Sequence, residues 1–250
     1  MGSVVVVIPA RYESSRLPGK PLADIEGVPM IRRVYERAAA ARGVDRVLVA
    51  TDDARIRAAV TAFGGEVAMT DPSHPSGTDR IAEAVGSLDA EIVVNVQGDL
   101  PLLDPDSVAA ALAPLRADAA LPMSTLSTAI RDAAEFANPN VVKVVTDATG
   151  HALYFSRAAI PHWRDGFGGG AIAQRHIGLY AYRRKFLLQF ARLAPTPLEL
   201  AEKLEQLRAL ESGYRIRVVE VANAGVEVDT PADLDMVRSL VRSSGGGRHE

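Results

Sequence analysis

Val4-Val5-Val6-Val7-Ile8 is an unbroken run of β-branched residues near the start of the chain. It offers no polar face to water, so it predicts a strand buried on both sides, as in a parallel sheet covered by helices. The surrounding segments repeat the signal. Residues 46–51 (RVLVAT) and 91–96 (EIVVNV) read as further buried strands, and 67–70 as a short one. Between them, Pro29 opens a helical pattern carried by Met30, Ile31, Val34, Ala38 and Ala41. Residues 55–63 read as a helix stopped by Gly64-Gly65, with further helices at 78–88 and 106–115. Strands alternating with helices predict βαβ units and a doubly wound α/β core with a mostly parallel sheet. Such sheets bind ligands beyond the carboxyl ends of their strands, so the loops after Ile8 and after Val96 are the places to look.

The second half is less regular. Residues 141–146 and 152–155 flank Asp147-Ala148-Thr149-Gly150, a hairpin turn. A glycine-rich, mobile loop is expected at 166–170, strands at 178–182 and 215–221, and a helix at 198–210. Thr230, Pro231 and Asp233 mark the N-terminus of a last helix through a capping box. The pattern predicts one domain over 1–242, with a core from about 1–130 and 215–242. A smaller strand-rich insertion at about 131–214 would cover the cleft and supply a dimer contact, and 243–250 would be a disordered tail.

Bulk properties narrow the function. A net charge of −3 draws the chain to neither nucleic acid nor anionic membranes, so an anionic ligand needs a local cluster of cations. The absence of cysteine excludes disulfides, thiolate zinc sites and cysteine nucleophiles, and fits a reducing, cytoplasmic compartment. Residues 1–9 are too short for a signal peptide, and no apolar run approaches the roughly 20 residues that span a bilayer.

Two loops carry chemistry. The segment after the first strand holds Arg11, Arg16 and Lys20 within ten residues, with Gly19 permitting close backbone approach and Pro18 and Pro21 stiffening the turn. Fixed cations of this kind suit a triphosphate, stabilising charge as diphosphate leaves; a solvated surface turn is the plain alternative. It is not a Walker A loop, since Ser14 stands where the first glycine belongs and Pro21 follows the lysine. No G-x-G-x-x-G follows a strand, which disfavours a dinucleotide-binding dehydrogenase. Asn95-Val96-Gln97-Gly98-Asp99 places a carboxylate at a strand end, suited either to Mg²⁺ or to capping the next helix, although Asp104 and Asp106 are better placed to cap. Asp229, just before the last helix, is the candidate second carboxylate.

Taken in order, R-Y-E-S-S-R-L-P-G-K-P-L (11–22), S-G-T-D-R (76–80), N-V-Q-G-D (95–99), Y-F-S-R (154–157), R-H-I-G-L-Y (175–180), L-E-Q-L-R (204–208) and V-D-T-P-A-D-L (228–234) resemble the 3-deoxy-manno-octulosonate cytidylyltransferases. Acylneuraminate cytidylyltransferases share the fold, but their first loop is richer in glycine and serine. The resemblance implies a fold of the nucleotide-diphospho-sugar transferase type and a reaction in which 3-deoxy-manno-octulosonate (KDO) attacks CTP, giving CMP-KDO and diphosphate for lipopolysaccharide synthesis. It implies that Arg11, Arg16 and Lys20 hold the triphosphate, that Ser76 binds substrate, that Arg80 and Gln97 read the cytosine, and that Asp99 and Asp229 hold Mg²⁺. Arg157 would grip the sugar carboxylate, and His176, Tyr180, Glu205 and Gln206 would meet the sugar hydroxyls, in a homodimeric enzyme. His176, Tyr180 and Glu205 each have a structural alternative: a structural role for the histidine, core packing for the tyrosine and solvation for Glu205. One position departs: the family continues N-V-Q-G-D with an acidic residue before proline, and here Leu100 stands. That leaves room for another 2-keto acid sugar, such as an amino-substituted KDO or an acylneuraminate-like acid, or for a nucleotide-sugar sensor without turnover.

Overall fold

The computed structural model describes residues 2–13, 17–222 and 225–245. The chain divides into two compact units, 1–109 with 225–250 and 110–224.

In chain order the first unit begins with β1 (Val4–Ala10), a 3-10 turn at Lys20–Leu22 and the short hairpin β2 (Asp24–Ile25) and β3 (Val28–Pro29). It continues through α1 (Met30–Ala39), β4 (Arg46–Thr51), α2 (Ala54–Ala62), β5 (Glu66–Met69), α3 (Gly77–Val85) and β6 (Ile92–Asn95). β1 lies between β6 and β4, with β5 outside β4, and every pairing is parallel. The valine run of β1 is almost wholly buried, as a central strand covered on both faces must be. Met30, Ile31, Val34 and Ala38 form the buried stripe of α1. Asp53 caps α2 by accepting from the Arg55 and Ile56 amides, and Ser76 caps α3 by accepting from the Asp79 amide.

The unit boundary falls within α4 (Pro105–Ala117). The second unit then holds β7 (Met123–Ile130), α5 (Ala133–Ala137), β8 (Lys143–Thr146), β9 (Ala152–Ser156), β10 (Gly170–Arg183), α6 (Arg184–Phe190), α7 (Pro197–Glu202), α8 (Gln206–Glu211) and β11 (Ile216–Glu220). β10 pairs antiparallel with β7 and β8, β8 antiparallel with β9, and β11 parallel with β7. The second unit is wider than the insertion expected at 131–214, because β7 and β11 pair with each other and, through β7, with β10.

Several sequence expectations change. β7 has no counterpart in the sequence reading: Ser124, Thr125 and Ser127 are buried in it, so no hydrophobic period marks it. The single helix expected at 198–210 is two, because Lys203 adopts a left-handed conformation (φ 56°) that ends α7. Phe167, inside the expected mobile loop, packs with Phe136 and Trp163 over Ile130 and Ala173. The segment 225–228, expected as strand-like, is irregular. The chain returns to the first unit for α9 (Pro231–Gly245), which runs past residue 243, where the tail was expected to begin; 246–250 lie outside the described residues. No helix among the described residues is long and apolar enough to cross a membrane.

Candidate active site

Lys20 starts the 3-10 turn after β1, and its ammonium lies 2.7 Å from Asp99 Oδ2 and 3.2 Å from Asp229 Oδ1. Three residues spread over more than two hundred positions of sequence therefore meet at one point. Backbone chemistry explains how. Asp99 follows β6, and its carbonyl accepts the Val228 amide at 2.9 Å, pinning the irregular segment beside it. Gly225 makes this approach possible: it sits at φ 95°, and a Cβ there would stand 2.7 Å from the Leu102 carbonyl oxygen. Downstream, Asp233 accepts from the amides of Asp229 and Thr230 and closes the capping box of α9, fixing where Asp229 stands.

Burial alone would lower the Lys20 pKa, but the charges and hydrogen bonds of Asp99 and then Asp229 hold it above the ordinary lysine value. Among the described residues no group of three or more His, Cys, Asp or Glu gathers to hold a metal. Two partly exposed carboxylates sharing one cation nonetheless fit Mg²⁺, which takes one or two protein carboxylates and fills its shell with water and phosphate oxygens.

A cleft of about 310 Å³ opens at this point, with Arg11, Glu13, Lys20, Ser76, Gln97 and Asp99 in its walls. Five of those six were expected to bind substrate or metal; Glu13 was not. Gly98 lets the floor close, since a Cβ there would lie 3.1 Å from the Pro9 carbonyl oxygen. Arg11 donates to the His74 carbonyl, and Gln97 Nε2 donates to Asn95 Oδ1 at 3.2 Å. Ser76 lines the cleft, and its hydroxyl is also the N-cap of α3.

Arg80 does not line the cleft. It has no exposed surface, bonds to Thr70 Oγ1 and pairs with Asp52 at 2.8 Å, tying α3 to the ends of β4 and β5. Its buried Nε has no hydrogen-bond partner among the described residues. Leu100, the departure from the family pattern, is also buried, with its side chain in the core. Arg16 lies outside the described residues.

The remaining expected residues all fall in the second unit. His176 Nε2 lies 2.9 Å from Thr125 Oγ1, and its ring packs against Phe155 and Tyr180. Thr125 has one proton and two carbonyls to give it to, Ile177 and Leu179. Its oxygen therefore accepts from Nε2–H, a network that assigns Nδ1 as the lone-pair nitrogen. Desolvation pulls the His176 pKa down to about 3, so the ring is neutral at physiological pH. β8 links this ring to Arg157, since Lys143 pairs with Arg175 on one side and Ser156 on the other. Arg157 donates Nε to the Glu202 carbonyl at 2.8 Å and Nη1 to the Pro139 carbonyl at 3.2 Å. Glu205 stands at the N-cap of α8, 3.8 Å from Arg208. Gln206 is buried, and its Nε2 has no partner among the described residues. Arg208 of the same motif is structural: it is buried against Glu199 at 2.5 Å and stacks over Phe190. Sequence reasoning missed Asp52, Lys143 and Glu202, for no motif marks a residue whose duty is to hold another.

The family model described as Cytidylyltransferase matches residues 5–216. The chain is similar to a 3-deoxy-manno-octulosonate cytidylyltransferase of Geobacter metallireducens, 56% identical over 94% of this chain and 96% of that one. A protein of the same name from Syntrophotalea carbinolica is 57% identical, over 96% of this chain and 99% of its own. Among solved structures, CMP:2-keto-3-deoxy-manno-octonic acid synthetase complexed with CTP superposes with a TM-score of 0.93 at 50% identity, covering 97% of this chain and 99% of that one. A 4-diphosphocytidyl-2C-methyl-D-erythritol synthase from Anaerococcus prevotii, 13% identical with a TM-score of 0.64, shares the fold alone. With identity above half across nearly its whole length, the chain belongs to the cytidylyltransferase family, among the 3-deoxy-manno-octulosonate cytidylyltransferases.

Proposed function

We propose that the chain transfers CMP from CTP to KDO, giving CMP-KDO and diphosphate and activating the sugar for lipopolysaccharide synthesis. The observation that carries this reading is that Lys20 meets Asp99 and Asp229, with Lys20 and Asp99 in a cleft that also holds Arg11, Ser76 and Gln97. A purely binding protein has no need of two acids at the place where an anionic nucleotide would lie.

The anomeric hydroxyl of the sugar attacks the α-phosphorus; a P–O bond forms, the bond from the α-phosphorus to the oxygen it shares with the β-phosphate breaks, diphosphate leaves, and the hydroxyl proton passes to solvent. Asp99 and Asp229 would hold Mg²⁺, which when bound supplies positive charge to the phosphates as charge shifts to the leaving group. Lys20 and Arg11, with Arg16 from the same loop, fix the triphosphate and stabilise the departing diphosphate. Ser76 offers its hydroxyl to the nucleotide from the start of α3. Gln97 reads the base, while Arg80 braces the elements behind it. Arg157 takes the sugar carboxylate, and His176, through its lone-pair Nδ1, accepts from a sugar hydroxyl alongside Tyr180, Glu205 and Gln206. The enzyme works as a cytoplasmic homodimer.

The family's acidic residue after Asp99 is here a packed side chain, so Leu100 lends the sensor reading no support at the cleft. Diphosphate release, measured with KDO and Mg²⁺ against CTP, UTP, ATP and GTP, tests the assignment. CTP alone should sustain turnover. Tight CTP binding without turnover would convert the reading to a sensor, and preference for a different 2-keto acid would change the named sugar.

A further inference from the structure

Lys143 is a lysine with no exposed surface and no place in the chemistry above. Its ammonium donates to three main-chain carbonyls: Asn138 at 2.9 Å, Val141 at 2.7 Å and Arg157 at 2.6 Å. Three protons meet three acceptors, so the group is fully satisfied as a cation. Desolvation nonetheless lowers its pKa, with the Glu202 charge opposing the shift and that of Arg157 adding to it. A buried charge is costly to keep, and an apolar residue would fill the same space more cheaply if packing were the sole requirement.

What the three carbonyls have in common is Arg157. One is its own, and the turn 138–141 that carries the other two also holds Pro139, whose carbonyl accepts from Arg157 Nη1. Glu202 completes the arrangement. Its carboxylate accepts from the Ser156 hydroxyl at 2.5 Å and from the Arg157 amide at 2.9 Å, and its carbonyl accepts from Arg157 Nε. The backbone of Arg157 and two different sides of its guanidinium are thus held. Of the five N–H donors of Arg157 two are engaged here, Nε–H and one on Nη1, which leaves one on Nη1 and two on Nη2. An arginine held this way has already lost its side-chain freedom before an anion arrives, which lowers the entropic cost of gripping a carboxylate.

We propose that Lys143 and Glu202 are positioning residues for Arg157, fixing its guanidinium for the carboxylate of the acidic sugar. The inference rests on Arg157 binding that carboxylate, and the test separates the two statements. Steady-state kinetics are measured for Arg157→Ala, Glu202→Gln, Lys143→Met and the Glu202→Gln/Arg157→Ala double variant, varying KDO and CTP in turn. Glu202→Gln keeps shape and leaves the Lys143 ammonium its three carbonyl acceptors, so it serves should Lys143→Met fail to fold. Expected are a KM for KDO raised about tenfold or more in Glu202→Gln with KM for CTP within twofold, and a double variant no worse than Arg157→Ala alone, as for residues acting through one another. A normal KDO KM in folded Glu202→Gln beside a raised one in Arg157→Ala overturns the positioning role and spares the Arg157 assignment. Additive effects in the double variant overturn it too. A normal KDO KM in Arg157→Ala overturns both.

Discussion

Lys20 is held by two acids whose neighbours differ. Asp99 lies just beyond the buried strand β6, whereas Asp229 sits on an irregular segment held by the Val228–Asp99 main-chain hydrogen bond and the Asp233 carboxylate. Replacing Asp99 with Asn preserves size and leaves Lys20 its contact with Asp229, so the fold should persist while turnover falls roughly a hundred- to a thousandfold, the usual loss for one fixed electrostatic group. Circular dichroism beside diphosphate release checks this, and near-normal turnover would remove Asp99 from the reaction. His176 carries a different prediction. Its folded-state pKa of about 3 lies below its ordinary value of 6.5, so below pH 6.5 the unfolded chain binds the extra proton. The stability from its neutral ring is therefore complete above about pH 6.5 and is lost as pH falls from there toward 3. Thermal midpoints at pH 7 and pH 5 should drop less in His176→Gln than in the parent chain; an equal drop would place the sensitivity elsewhere.

At the scale of elements, the segment between β11 and α9 decides whether the site exists. Gly225 has a positive φ and a backbone carbonyl where a side chain would begin, so Gly225→Ala combines conformational strain with a clash against main chain. Strain of this kind costs of order 1–3 kcal/mol. Relief would move Val228 away from the Asp99 carbonyl and carry Asp229 with it. The variant should remain folded, with a modestly lowered melting point and a disproportionate loss of turnover; unchanged turnover would show that Asp229 does not depend on this anchor. Element type was legible where burial and period agreed. β1, β4 and β6 each carry an unbroken apolar run, and α1 repeats every three to four residues. β7 was illegible because its buried hydroxyls satisfy themselves on the carbonyls of Ala111, Ile177 and Leu179 and on Gln174, contacts that no local pattern announces. The break between α7 and α8 was illegible for a related reason, since a lysine with positive φ carries no signature as glycine would.

On the whole molecule, the two units obey different rules: parallel strands joined by helices in the first, mainly antiparallel ladders in the second. The cleft with Lys20 belongs to the first, so CTP should stabilise that unit by mass action. At free CTP one hundred times its Kd the gain is about 2.7 kcal/mol, readable as a raised thermal midpoint and as slowed amide exchange in β1, β6 and α3. A midpoint indifferent to CTP would show that the nucleotide does not bind here. The amino-acid sequence by itself determined the α/β class, the central strands and the identities of the charged residues, because hydrophobic period and loop chemistry are local properties. Only the tertiary structure decided that Lys20, Asp99 and Asp229 converge, that Arg80 and Leu100 are buried away from the cleft, and that Lys143 and Glu202 surround Arg157. Convergence depends on hydrogen bonds and close packing between segments far apart in the chain, and no stretch of sequence contains both partners.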